Sequence, residues 1–279
     1  MEGNAQNISR TNNDLKNHAN LPLLSFITIT NGIQSTVHKA PAAPSLTTLG
    51  ALQSDSLKEA LAKATQRQMT LLGSNLAMLD VFEPTNANLN KTYSEWVNLL
   101  QGQNLELVLG AYPGLFDPKS KLDSEGLRSF TALLKDKIKL LSISTTPSKL
   151  NAKNSSAQSK KTLEYLTKNL NYQGLIMVDD MSELRKYKPG KSEALAMMAG
   201  CNLIVSANID IAIKQTKKLI RKGDIPLSYI ETSTKKVLAL KHNILTTTEQ
   251  SGNYLRIKEE LNDPFYNRLV QRIYQESMT

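Results

Sequence analysis

Short apolar runs and helix-period stretches alternate about six times along this chain, and no other feature narrows the fold so far. Strand then helix, repeated at this spacing, argues for a parallel α/β architecture, either a barrel or a doubly wound sheet. The runs predicted as strands are 21–28, 75–81, 105–110, 139–144, 175–178 and 201–207. Pro22 fits only near the start of the first, because it has no N–H for a ladder. Helices are predicted from Ser56 to about Leu72, around Trp96, over 124–136 and 159–169, and over 192–199 with Gly200 closing. Two more run from Asp210 to a stop at Gly223 and from Ser228 to about Leu240. Ser56-Leu-Lys-Glu59 and Ser228-Tyr-Ile-Glu231 have the capping-box spacing that marks a helix start. Residues 1–20 are Asn-rich and polar, with at most a helix around 8–18. Residues 30–50 read as a loop, and 148–160, rich in Ser, Asn and Lys, as an exposed loop. No glycine-rich phosphate loop follows any strand, so nucleotide-binding folds lose ground.

One strand stands out. Gly174-Leu-Ile-Met-Val-Asp-Asp180 is a fully apolar run that ends on two carboxylates. Four aliphatic residues in a row fit a strand buried on both faces. In α/β barrels a carboxylate at the C-terminal tip of a strand is where the chemistry sits. The other reading is that Asp179 or Asp180 caps the next helix, a common duty for Asp after a strand.

Composition bounds the function. At 279 residues with 40% hydrophobic content, the chain can build one large α/β domain or two small ones. Aromatics are 5%, so the core is mostly aliphatic. The single cysteine, Cys201, excludes an internal disulfide and a cysteine-cluster metal site, and its apolar surroundings predict an inert buried thiol. His18, His38 and His242 show no metal-ligand spacing, so no metal or other cofactor is expected. The net charge of +9 comes from lysines on amphipathic helices and a polar loop, with little aromatic interleaving. Solvated helix faces explain it better than nucleic-acid binding does. No apolar run approaches the ~20 residues of a membrane span, and the first residues lack the pattern of a signal peptide, so the default expectation is cytoplasmic. In the tail, Thr246–Gly252 reads as a linker. Asp263-Pro264 starts a helix with one apolar face at Phe265, Leu269 and Ile273, which must pack on this domain, a following domain or a partner.

The order of motifs resembles the N-terminal (β/α) barrel of glycoside hydrolase family 3, in particular its bacterial β-N-acetylhexosaminidase branch. Gly174-Leu-Ile-Met-Val-Asp-Asp-Met-Ser182 is similar to the family's G-x-x-x-[ST]-D-D-[LM]-S strand, with Val178 at the hydroxyl position. Ala199-Gly-Cys-Asn-Leu-Ile-Val205 is similar to its A-G-C-D-[ML]-x-L strand, and Lys222-Gly-Asp-Ile-Pro-Leu-Ser-Tyr-Ile-Glu231 with Val237-Leu-Ala-Leu-Lys241 to its closing turn and helix. Weaker matches cover about 20–245: Leu76-Ala-Met-Leu-Asp-Val81, Tyr112-Pro-Gly114, and a last helix over 267–278. The resemblance implies a TIM-like barrel over 21–245, a polar segment over 1–20, and a linker and helix over 246–279.

It also implies a retaining glycosidase with Asp179 as nucleophile, which needs a general acid about 5 Å away. The branch's acid is the His of an Asp-Ser-His sequence. Here the matching residues are Asp123-Ser124-Glu125, so Glu125 is the candidate replacement beside Asp123. Other sugar-gripping positions have changed: a Lys-His pair maps to Gly110-Ala111, a histidine to Leu115, and the D-Q-E-G-G strand end to Ile29-Thr-Asn-Gly-Ile33. The family's Arg maps to Lys91, which with Asp180 completes the candidate substrate-binding set. Losing imidazole and charged groups removes the hydrogen bonds that hold a sugar, and losing the acid costs roughly 10²–10⁴ in rate. The family barrel also has two strands before the one matched to 21–28, and this chain has no room for them. Six strands leave two edges, which proteins cover. The expected cover is residues 1–20, residues 246–279, a second copy or another protein. Three functions follow: a degenerate pseudoenzyme barrel serving as scaffold or binding module; a working β-glycosidase acting on N-acetylglucosamine-type glycans; and an unrelated barrel enzyme.

Overall fold

Aliphatic runs too short for helices become strands here, and covering both faces makes them the core. The computed structural model describes residues 3–79, 87–110, 131–134, 138–145, 147–148, 151–178, 190–247 and 256–278. Six strands form a mixed α/β fold's parallel sheet: β1 (Phe26–Thr28), β2 (Leu76–Leu79), β3 (Glu106–Gly110), β4 (Leu140–Ser142), β7 (Leu175–Val178) and β8 (Leu203–Ile204). Their order is β1-β2-β3-β4-β7-β8, so β1 and β8 are the end strands. Every residue of β2, β4 and β7 is buried, as parallel strands covered on both faces require. A hairpin of β5 (Pro147–Ser148) and β6 (Asn151–Ser155) stands apart.

By contacts the chain divides into two compact units. The first comprises Met1–Asp80, Pro84–Leu107 and Lys241–Thr279. Within it, β1 pairs in parallel with β2, Phe26 opposite Leu76. Helix α1 (Ala5–His18) packs on α3 (Asp55–Leu72), and a chemical reason ties them. The last four carbonyls of a helix have no partner inside it. Gly73, left-handed at φ 68°, and Ser74 return N–H groups to Thr70 and Met69. The other two are met from α1: Ser9 Oγ donates to Leu71 O at 2.9 Å and Asn12 Nδ2 to Leu72 O at 2.8 Å. Helix α2 (Leu46–Ala51) packs on α4 (Ala87–Gly102).

The second unit comprises Val81–Glu83 and Val108–Leu240. There β4 pairs with the end of β3, β7 with β4, and β8 with β7, all parallel. Helix α5 (Lys160–Glu164) continues as a π-helical turn over Tyr165–Asn169. Helix α6 (Lys191–Ala199) closes at Gly200, and α7 (Ile209–Lys222) closes at left-handed Gly223. Helix α8 (Leu227–Thr247) follows.

Several predicted bounds move. The first strand shortens to β1, because Asn75 accepts from the N–H of Ser25 and donates to the carbonyl of Leu23, replacing ladder bonds there. The last strand shortens to two residues. The loop over 30–50 contains α2 and a 3-10 turn at Ile33–Ser35. The segment 148–160 is not an exposed loop: it holds β6, and Ser155, Ser156, Ala157 and Ser159 are buried. Ser56 does not cap α3, whose N-cap is Ser54, and Ser228 lies inside α8, which runs on through Thr246 of the expected linker. The short helix around Trp96 is the 16-residue α4. The predicted helix over 124–136 is described only at 131–134.

The tail helix settles one open question. Asp263 caps α10 (Pro264–Ser277) by accepting from Phe265 N, with Pro264 at the first position. Its buried face is Tyr266, Leu269 and Ile273, packed on α2 and α3, whereas Phe265 is exposed. A short helix, α9 (Ile257–Leu261), joins α1 and α3. Both terminal segments therefore rest chiefly on helices rather than on a strand edge.

Candidate functional site

The second unit's strand ends are held by an unusually specific local network. Gly174 opens β7 because nothing larger fits: a Cβ there would collide with the Tyr172 hydroxyl and sit 2.7 Å from Lys139 O. Tyr172 donates to Leu175 O at 3.2 Å, and Leu175 N donates to Lys139 O at 2.8 Å, so β4 and β7 start in register. On the other side Asn202 accepts from Ile176 N at 2.8 Å and donates to Ser233 Oγ at 2.8 Å and to Tyr229 Oη at 3.3 Å. Tyr229 in turn donates to Cys201 O at 2.9 Å. One amide thus fastens β8, β7 and α8 together, at the position where the family motif has Asp.

At the C-terminal ends the described residues are Gly110 of β3, Ser142 to Ser144 after β4, Val178 of β7 and Ile204 to Ser206 after β8. The carboxylate found there among the described residues is Glu193, from α6. It accepts a 2.6 Å hydrogen bond from Ser206 Oγ, and Ser206 also accepts from Asn208 N at 3.1 Å. Glu193, Asn202, Ser206 and the apolar residues Ile204, Ile209 and Ile213 line a cleft of about 260 Å³. Sequence reasoning missed Glu193, because its partner lies 13 residues away across a strand.

Asp179, Asp180, Asp123 and Glu125 lie outside the described residues. Lys91 is described. It sits on α4, 80% exposed, in an i,i+4 ion pair with Glu95 at 3.8 Å, and Glu95 also faces Lys58 at 3.8 Å. Ile29 and Ile33, at the family's acidic ligand stretch, are core residues at 3% and 0% exposure. No group of three His, Cys, Asp or Glu among the described residues is placed to share a metal ion, and no described helix is long and apolar enough to cross a membrane.

Cys201 is buried, with Sγ 3.4 Å from Ala157 O, and burial pushes its thiol up from an ordinary 9.0 to about 12. Tyr229 is pushed from 10.0 to about 12 by burial, with the Ser233 hydrogen bond opposing and Cys201 adding slightly. Folding holds both protons more tightly than the unfolded chain does. Their contribution is therefore complete below pH 9 and is lost as pH rises from 9 to 12. We expect the urea midpoint to fall over that range, with Cys201→Ala flattening the part between pH 9 and 10. Identical alkaline profiles for the variant and the parent chain would contradict the burial argument.

The fold and these strand ends define a parallel α/β domain of the kind glycosidases are built on. Residues 111–240 match the family model described as Glycosyl hydrolase family 3 N terminal domain. Solved structures share the fold. A structure titled beta-glucoside phosphorylase BglX superposes with a TM-score of 0.79 at 12% identity, covering 98% of this chain and 58% of that one. A β-N-acetylhexosaminidase from Beutenbergia cavernae gives 0.67 at 18%, covering 85% and 84%. A fungal multi-domain GH3 β-N-acetylglucosaminidase gives 0.74 at 16%, covering 97% and 38%. This chain thus spans 58% of the length of the BglX chain. No curated protein sequence matches it.

Proposed function

We propose that this chain is a non-catalytic family 3 barrel, a pseudoenzyme that works as a scaffold or binding module. One observation carries the reading: the stretch matched to the family's acidic sugar ligands is packing. Ile29 and Ile33 are core residues, and a Cβ on Gly32 would come 2.7 Å from Ala43 Cβ. The lost His, Lys and Arg positions point the same way, since Lys91 is committed to a surface ion pair. The module's binding face is the β8 side of the second unit. No residue of α7 is buried, and Val205, Ile209 and Ile213 are more than 40% exposed beside the end strand β8. A contiguous apolar surface next to a sheet edge is what a partner protein or a second copy covers.

The second reading is an active retaining β-N-acetylhexosaminidase or β-glycosidase that hydrolyses O-glycosidic bonds. Asp179 attacks the anomeric carbon and Glu125 protonates the leaving oxygen, with Asp123 the third catalytic residue and Lys91 and Asp180 binding the substrate. It is favoured by the family match, which spans Asp179 and Glu125, and by β7, which leads directly into Asp179. A nitrophenyl β-N-acetylglucosaminide separates the two. We expect no turnover above background and no binding of N-acetylglucosamine by calorimetry. Turnover that Asp179→Asn lowers by about 10²-fold or more would establish the enzyme reading instead.

A further inference from the structure

The first unit contains a cavity that neither reading uses. It has a volume of about 440 Å³ and lies where the 37–40 turn, the start of α1 and helix α9 meet. The turn is pinned to the chain before α1 by Gly3 N donating to Thr36 O at 3.1 Å and His38 N donating to Gly3 O at 2.8 Å. The apolar lining residues are Ala5, Val37, Ala40 and Leu261, of which Ala40 is half-buried and the others are buried. The polar lining residues are Lys39, Lys258, His38, Asn4 and Asn262.

Its charge is unbalanced. No carboxylate lines the cavity. The two acidic residues that follow Lys258 on α9 are engaged elsewhere, Glu259 with Arg256 at 3.5 Å and Glu260 with Arg67 at 3.9 Å. Among the described residues, the side chains of His38, Lys39 and Lys258 form no ion pair. Two lysine charges lining one recess suit a dianion, and charge-assisted hydrogen bonds from ammonium groups are the strong kind. The N-terminus of α1 adds a favourable dipole only, since Asn4 already accepts from Gln6 N and Asn7 N. The volume falls in the range of small-molecule sites, roughly 300–1,000 Å³, and is too large for a bare phosphate. Apolar lining beside two lysine side chains suits an organic body behind the charge.

We propose that this cavity binds a small organic phosphate monoester, with Lys39 and Lys258 clasping the phosphate and Ala40 and the lysine methylenes supporting the organic part. The site is independent of the strand ends and of either functional reading.

Calorimetry on the full chain at low ionic strength tests it, with glucose 6-phosphate, inorganic phosphate and glucose as probes. Glucose 6-phosphate should bind, inorganic phosphate about tenfold more weakly or worse, and glucose not at all. Combined Lys39→Ala and Lys258→Ala should weaken glucose 6-phosphate by about tenfold or more. Combined Lys160→Ala and Lys161→Ala on α5, which remove the same charge elsewhere, should leave it unchanged. In the unaltered chain, glucose 6-phosphate should shift the amide resonances of Ala5, Val37 and Ala40, which reads the site even if a variant folds poorly. The proposal is overturned by absent binding, by equal affinity for phosphate and glucose 6-phosphate, by equal loss in both double variants, or by shifts confined to other residues.

Discussion

Gly174→Val should abolish stable folding of the second unit, and Gly174→Ala should destabilise it by about 2–3 kcal/mol. The cause is space. A Cβ at this position meets the Tyr172 hydroxyl and ring on one side and the backbone carbonyl of Lys139 on the other. Tyr172 is 2% exposed, so its ring has nowhere to swing. The carbonyl is fixed by its bond from Leu175 N, which sets the register of β4 and β7. Urea denaturation followed by circular dichroism reads the loss. Adding Tyr172→Phe to Gly174→Ala should recover part of it, because removing the hydroxyl vacates the nearest point of collision. A valine variant within about 1 kcal/mol of the parent would show that the β4–β7 junction yields.

Ile273→Asp is the second large effect expected, at about 4 kcal/mol or more. Ile273 is fully buried on α10, beside Tyr266 and Leu269 and against α2 and α3. A carboxylate there has no partner, and an unpaired buried charge is among the costliest single changes. Ile273→Ala, which leaves a void without a charge, should cost about 2–4 kcal/mol. Phe265→Asp on the same helix is the control, because Phe265 is 56% exposed and its change should stay within about 1 kcal/mol. Comparing the thermal midpoints of the three variants decides whether the tail helix is structural. Equal midpoints for Ile273→Asp and Phe265→Asp would mean that α10 is dispensable.

Periodicity and burial made the frame legible. Leu76–Leu79 and Leu175–Val178 are aliphatic runs with no polar interruption, and such runs have little choice but a strand covered on both sides. Gly223 and Asp263-Pro264 act through local backbone chemistry, so they mark helix ends wherever the helix packs. The failures come where a distant side chain takes over a local duty. Asn75 bonds to Leu23 and Ser25 in place of a ladder partner, so β1 starts late, and nothing near Leu21 signals it. Ser56 has the right spacing for a cap, but the chain turns two residues sooner, at Ser54. The polar stretch through Ser148 folds as a hairpin whose buried serines composition could not reveal. Of the candidate site, sequence placed the strand leading into Asp179. It could not find Glu193, whose meaning comes from Ser206 alone.

The brevity of β8 has a consequence for the chain's life before any occupant arrives. A sheet margin two residues long offers a newly made polypeptide almost no template for runaway stacking into fibrils. The seam can therefore wait uncovered in a crowded solution without nucleating clumps.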